Sequence, residues 1–352
     1  MKMKTLAVAV AALACGTQTF AAEIYNNDGT SMSIGGHVSI NLNGSDEGET
    51  DVGTNSPRIN LSGKKDIGNG VTVDAKGEWQ LNYLNGGENS FTTRLGYIGA
   101  THEQFGRVVG GTQWSPYYDV AGVADLPIAY ANDFLYENHN NLGSGRAEKM
   151  LSYRKSFEFG EGFGFNLGLG WQGKQTDKKT SLEKVDENCT VKCAVYEKTT
   201  KTVYDARGQI ALSTQLAGFG LGYVYSGGDV ATGTMTKDAT SHIFAANYGE
   251  YGSGLYAAIV YGMNEYFYEG LEETVQLEGL LAYGFNNLTL SVNYESVEDD
   301  KTSKTLFSQS ALQAEYAVTS SFYTYAGYQF DLGNDIKKAE DDSWTLGARY
   351  YF

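Results

Sequence analysis

Apolar and polar residues alternate with a period of two along most of this chain. Val71, Val73, Ala75, Gly77, Trp79, Leu81 and Tyr83 fall on one side, and Thr72, Asp74, Lys76, Glu78, Gln80 and Asn82 on the other. A helix would mix these sets; a strand separates them, because its side chains alternate. Phe163, Phe165, Leu167, Leu169 and Trp171 alternate in the same way with Gly164, Asn166, Gly168, Gly170 and Gln172. Leu288, Leu290, Val292 and Tyr294 alternate with Thr289, Ser291, Asn293 and Glu295. At the end of the chain Trp344, Leu346, Ala348, Tyr350 and Phe352 oppose Thr345, Gly347, Arg349 and Tyr351. A soluble β-sandwich alternates too. It lacks runs of about 8–12 residues repeated without helices over the whole chain, with aromatics at the ends of the apolar face.

The connections carry a second asymmetry. Short turns at 67–70, 160–162, 217–218, 250–254, 286–287 and 319–321 alternate with long loops. The long loops are 43–56, 85–93, 115–145, 174–202, 227–240, 265–273, 298–305 and 334–343. Eight long loops predict sixteen strands in up-and-down order. Short turns on one side, longer loops on the other and an even strand number describe a closed antiparallel membrane barrel. About sixteen strands leave an aqueous lumen.

The N-terminus sets the compartment. Lys2 and Lys4 precede a short apolar stretch, 6–15, and small residues before Ala22. This reads as a secretory signal peptide over 1–21, cut after Ala21. Lipoprotein processing at Cys15 is the competing reading; no large aliphatic residue stands three positions before it. Without 1–21 the formal charge moves from −16 to −18, since two lysines and no acids leave. Such a balance disfavours nucleic acid as a partner. With 26 tyrosines and only 3 prolines, disorder is a poor fit. No later segment has the run of about 18 apolar residues that a helical span needs.

Enzyme motifs are missing. His37, His102, His139 and His242 are scattered, and none pairs with a Cys or another His at metal-ligand spacing. There is no nucleophile elbow, His-Glu-x-x-His or phosphate loop. Cys189 and Cys193 share a long loop, where an oxidising compartment favours a disulfide over two thiols. Asp46, Glu47, Glu49 and Asp51 could hold Ca²⁺ or Mg²⁺, but solvated loop acids are the plainer reading. No cofactor is expected.

Several segments resemble the general trimeric porins of Gram-negative bacteria. The opening Ala22-Glu23-Ile24-Tyr25-Asn26-Asn27-Asp28-Gly29 is similar to their mature start, and the segments 56–64 and 93–99 resemble their second and fourth strands. Segment 106–120 (GRVVGGTQWSPYYDV) resembles their fifth strand running into a long third loop. The terminal Tyr350 and Phe352 resemble the signal read by the barrel assembly machinery. The likeness implies an outer-membrane homotrimer amid lipopolysaccharide, in which each sixteen-stranded barrel has its third loop, 115–145, folded into the lumen.

It also implies a constriction. Asp119, Asp125, Asp133 and Glu137 lie on that loop, and His37, Arg58, Arg94 and Arg146 match the family's basic wall. Alternation supports the first two bases: His37 shares a face with Ser39 and Asn41, and Arg58 with Asn60 and Ser62. Arg207 and Arg349 also face the polar side of their strands. The family commonly has lysine where this chain has His37. Acids facing bases across a constriction create a transverse field that sorts permeants by charge. The expected function is passive diffusion of ions and small hydrophilic solutes, with cation preference. A sugar- or anion-selective channel, and an outer-membrane enzyme or adhesin, are the rival readings. A sugar channel would show a track of lumen aromatics, and an enzyme a nucleophile and base converging at one rim.

Overall fold

The structure, a computed structural model, describes residues 21–84, 90–132, 139–159, 163–184, 195–268, 270–336 and 340–352. Residues 1–20, which hold most of the expected signal peptide 1–21, the cysteines Cys189 and Cys193, and the loop acids Asp133 and Glu137 lie outside the described residues.

The first half contributes β1 (Ala22–Asn27), β2 (Thr30–Ser45), β3 (Asp51–Gly53), β4 (Arg58–Gly68), β5 (Val71–Leu81), β6 (Phe91–His102), β7 (Gly106–Trp114), β8 (Arg146–Glu158) and β9 (Phe163–Gln172). Then come β10 (Gln175–Lys184), β11 (Val195–Tyr204), β12 (Arg207–Leu216), β13 (Phe219–Thr232), β14 (Met235–Glu250) and β15 (Ser253–Glu265). The last are β16 (Glu273–Phe285), β17 (Leu288–Asp299), β18 (Lys304–Thr319), β19 (Phe322–Asp331) and β20 (Ser343–Tyr351). Every pairing is antiparallel between neighbours, and β20 pairs with β2 to close the ring. The ring consists of sixteen strands: β2, β4 to β9, and β12 to β20. Closure leaves no unpaired edge in lipid, where an unsatisfied backbone group is costly. β1 pairs with the start of β2, in line with β20, so Ala22 lies opposite Ile34 while Phe352 exchanges two backbone bonds with Gly36.

The alternation sorts side chains between lipid and lumen. On β15, Leu255, Ile259, Tyr261 and Met263 are exposed outward, and Tyr256, Ala258, Val260 and Asn264 are buried inward. No helix among the described residues is long and apolar enough to cross a membrane; the strands make the crossing.

Three connections differ from the sequence reading. Segment 174–202 is not a plain loop: β10 and β11 pair residue for residue from Gln175↔Tyr204 to Lys184↔Val195. Its sequence is mostly polar at both parities, so no apolar stripe marks it, and it lies outside the ring, where β9 pairs directly with β12. Segment 227–240 is a continuation of β13 and β14, turning at 233–234 where Gly233 has φ 62°. A further tight turn, 103–105, joins β6 to β7.

Loop 115–145 has a folded start. Ser115 caps helix α1 (Pro116–Ala121), accepting a bond from the Tyr118 N–H, and Pro116 occupies the first turn. The helix buries Tyr117, Val120 and Ala121 against the inner wall, in one cluster with Ala211, Val224, Ile243, Ala258 and Val260. Inward glycines make room for it. A Cβ on Gly222 would lie 2.8 Å from Val120, and one on Gly168 would lie 3.0 Å from Pro116.

Candidate functional site

A cavity of about 3170 Å³ runs through the ring. It is lined by outer-loop residues such as Glu49 and Asp51 and by residues of the short turns at the other end, such as Gly252, Asn286 and Asn287. It therefore opens at both rims.

One side of the cavity is basic. His37, Arg58, Arg94 and Arg146 all line it. Arg58 and Arg94 converge on one carboxylate oxygen of Glu78, at 3.7 and 3.1 Å, and Lys76 reaches the other at 3.2 Å. Arg146 lies within electrostatic range of Arg58 and Arg94. His37 is buried against Tyr351, with ring centroids 5.4 Å apart, and neither ring nitrogen has a hydrogen-bond partner among the described residues.

Strict alternation would turn Arg94 outward with Gly96 and Ile98, because Tyr97 lines the cavity. A β-bulge changes this. Glu78 pairs with Leu95 and Trp79 with Thr93, which leaves Arg94 as the extra residue. A bulge bends the strand and re-aims a side chain. Arg94 thus turns inward to Glu78.

The opposite side is the described part of the third loop, which runs along the inner wall. The Tyr117 hydroxyl bonds Ser241 at 3.0 Å, the Ile128 N–H donates to Glu315 at 2.6 Å, and the Tyr130 N–H donates to Gln313 at 2.8 Å. Asn132 donates to the carbonyls of Gly279 and Tyr294. Asp119 does not stand free opposite the arginines. Its carboxylate is held by Arg154 of the adjoining wall strand β8, at 2.6 Å. Asp125 lines the cavity and accepts a 2.8 Å bond from the Tyr118 hydroxyl. Tyr118 in turn stacks on Trp114, with centroids 4.1 Å apart.

The two remaining polar-face arginines are fasteners. Arg207 is buried and donates to the carbonyls of Leu142, Gly228 and Ala239. Arg349 donates to Asn55 and to the Tyr351 hydroxyl. Sequence reasoning left Glu78 unassigned although its polar-face position was legible. Arg154 and Asn55 carried no motif, and Tyr118 lay in the segment 106–120 without a role assigned to it. The aromatics Tyr323 and Tyr351 meet edge-to-face at 5.7 Å. Among the described residues no group of three or more His, Cys, Asp or Glu side chains forms a metal site.

A closed barrel with a lumen open at both rims and narrowed by its own loop is a membrane channel. The chain belongs to the Gram-negative porin family, whose model matches residues 7–352. It is 27% identical over 395 aligned positions to outer membrane protein S2 of Salmonella typhi, with 100% of each chain covered. It is 26% identical to outer membrane porin N of Escherichia coli K12, covering 95% of this chain and 78% of that protein. Salmonella typhi OmpF, solved in complex with daunomycin, superposes with a TM-score of 0.72 at 19% identity, covering 94% of this chain and 100% of that one. An anion-selective porin from Comamonas acidovorans gives 0.67 at 15% identity, covering 92% of this chain and 100% of that one. Identities this low show a shared fold. The chain is thus an outer-membrane β-barrel channel and not an enzyme.

Proposed function

We propose that this porin passes ions and small hydrophilic solutes by passive diffusion, prefers cations, and works as a homotrimer. The observation that carries this reading is the charged cavity that reaches both rims. Cation preference is supported by the formal charge of −18 for the chain without residues 1–21 and by acids near both mouths, Glu49 and Asp51 at one and Glu103, Glu158 and Glu250 at the other. Rings of acidic side chains raise the local cation concentration and reject anions. His37, Arg58, Arg94 and Arg146 form the basic side of the constriction. Asp125, with Asp119, Asp133 and Glu137, forms the acidic loop.

The chain is cut after Ala21, delivered by the assembly machinery through Tyr350 and Phe352, stapled between Cys189 and Cys193, and embedded beside lipopolysaccharide. In a planar bilayer with a KCl gradient, large ohmic steps grouped in threes with a cation-side reversal potential are expected. A folded, heat-modifiable barrel without conductance would sink the diffusion reading. A reversal potential on the anion side would remove the cation preference alone.

A further inference from the structure

The pairing of β2 with the returning first loop is interrupted at one place. His37 pairs with Arg58 of β4, and Asn41 pairs with Gly53 of β3. Residues 54–57 between them leave the sheet, with Ser56 at φ 44°. Ser39 faces the gap. Its backbone N–H donates to the Tyr83 hydroxyl at 3.1 Å, and that hydroxyl donates to the Ser39 carbonyl. One side chain thus satisfies both backbone groups that a continuous strand would have paired, as buried backbone groups require.

The departing segment carries Asn55 into the cavity. There all of its polar groups are used. Its N–H donates to Ser39 Oγ at 2.8 Å, and Ser39 Oγ donates to its carbonyl at 3.1 Å. Arg349 of β20 donates to its carbonyl at 3.2 Å and to its Oδ1 at 2.6 Å. Its Nδ2 donates to the carbonyl of Ile128, and to that of Ala129 at 3.5 Å. Ile128 and Ala129 belong to the third loop. The same stretch is held on its other side by Glu315 and Gln313 of β18 and by Asn293 of β17.

We propose that Asn55 is a positioning residue of the pore: it spans from the β2–β20 wall to the third loop and fixes where that loop stands in the lumen. This rests on the channel reading above. A side-chain amide suits the task, because it accepts from the arginine and donates to a carbonyl at once. Aspartate lacks the donor, and alanine lacks both functions.

The test is single-channel recording of Asn55→Asp and Asn55→Ala at high salt, where the added charge is screened. Both are expected to raise open-channel current fluctuations roughly two-fold or more, as a segment released from local hydrogen bonds opens more often. A second tether separates loop position from general damage. A Cβ at Gly327 would lie 3.4 Å from that of Ala129, and the Tyr130 ring, 2.9 Å from the same point, has to give slightly. That separation is close to the disulfide mean of about 3.8 Å. In the Ala129→Cys/Gly327→Cys background, oxidation is expected to restore the quiet trace of the Asn55 variants, and reduction to abolish it again. Arg349→Lys keeps the charge and loses the two-point hold; it is expected to give the same noise and the same rescue should the Asn55 variants not fold. Quiet traces in all reduced variants overturn the proposal, as does noise that the disulfide leaves unchanged. A wild-type barrel without conductance overturns the channel reading instead.

Discussion

Arg154 and Asp119 form a two-point ion pair, Nε to Oδ2 at 2.6 Å and Nη2 to Oδ1 at 3.3 Å. The arginine also donates to the Trp114 carbonyl at 2.7 Å and to Ser152 Oγ at 2.8 Å. The wall strand β8 therefore grips the start of the third loop and neutralises one of its acids. Both side chains remain partly exposed to the lumen, at 24% and 30%.

Arg154→Gln leaves Asp119 uncompensated, so the reversal potential is expected to move toward the cation side. Asp119→Asn frees the arginine and moves it the other way. The double variant returns close to wild type. Reversal potentials of the four proteins in one salt gradient check this; equal shifts of the same sign in both single variants would contradict it. Fastening is expected to contribute only about 1 kcal/mol at this exposure.

Removing Arg207 acts on stability rather than selectivity. The guanidinium is buried, bonds three backbone carbonyls and lies over the Phe267 ring at 5.5 Å. Arg207→Met leaves the Leu142 and Gly228 carbonyls without this donor, and an expected cost of about 3 kcal/mol follows. Arg207→Lys recovers little, because one ammonium cannot reproduce the planar fork. Denaturant midpoints of the folded barrels measure both.

Alkali tests the docking of helix α1. Burial pushes the Tyr117 hydroxyl well above the ordinary phenol value of 10.0. Below that value the group is protonated whether or not the loop is docked, so stability is flat there. Above it the released form loses its proton first, and docking weakens progressively as pH rises toward the folded value. Thermal midpoints at about pH 9 and about pH 11 should differ more in the wild type than in Tyr117→Phe. The phenylalanine variant is expected to lose about 1 kcal/mol at neutral pH from the missing bond to Ser241. An identical alkaline loss in both proteins would assign the effect elsewhere.

Gly222 tests the seat of the same helix. A leucine there collides with Val120, so Gly222→Leu is expected to displace the loop and alter single-channel conductance. A Cβ on Gly208 meets nothing within 4 Å. Gly208→Ala is therefore the silent control. Unchanged conductance in Gly222→Leu would show that the wall yields rather than the helix.

The sequence by itself determined the barrel. Alternation with period two, repeated across the chain, is the direct imprint of lipid on one face and water on the other, and strand number followed from counting the interruptions. It also placed His37 and Arg58 inward, since both obey simple parity from their polar neighbours. Parity failed at Arg94, because a bulge adds one residue to the count and no local residue type announces it. It was silent on the β10–β11 arm, which lies outside the sixteen-strand ring and carries no apolar stripe. Only tertiary structure decided the partners of Asp119 and Asn55. Arg154 lies 35 positions from the one, and Arg349 lies 294 from the other. Such contacts depend on ring closure and on how far a loop reaches, and neither is encoded in the spacing of neighbours along the chain.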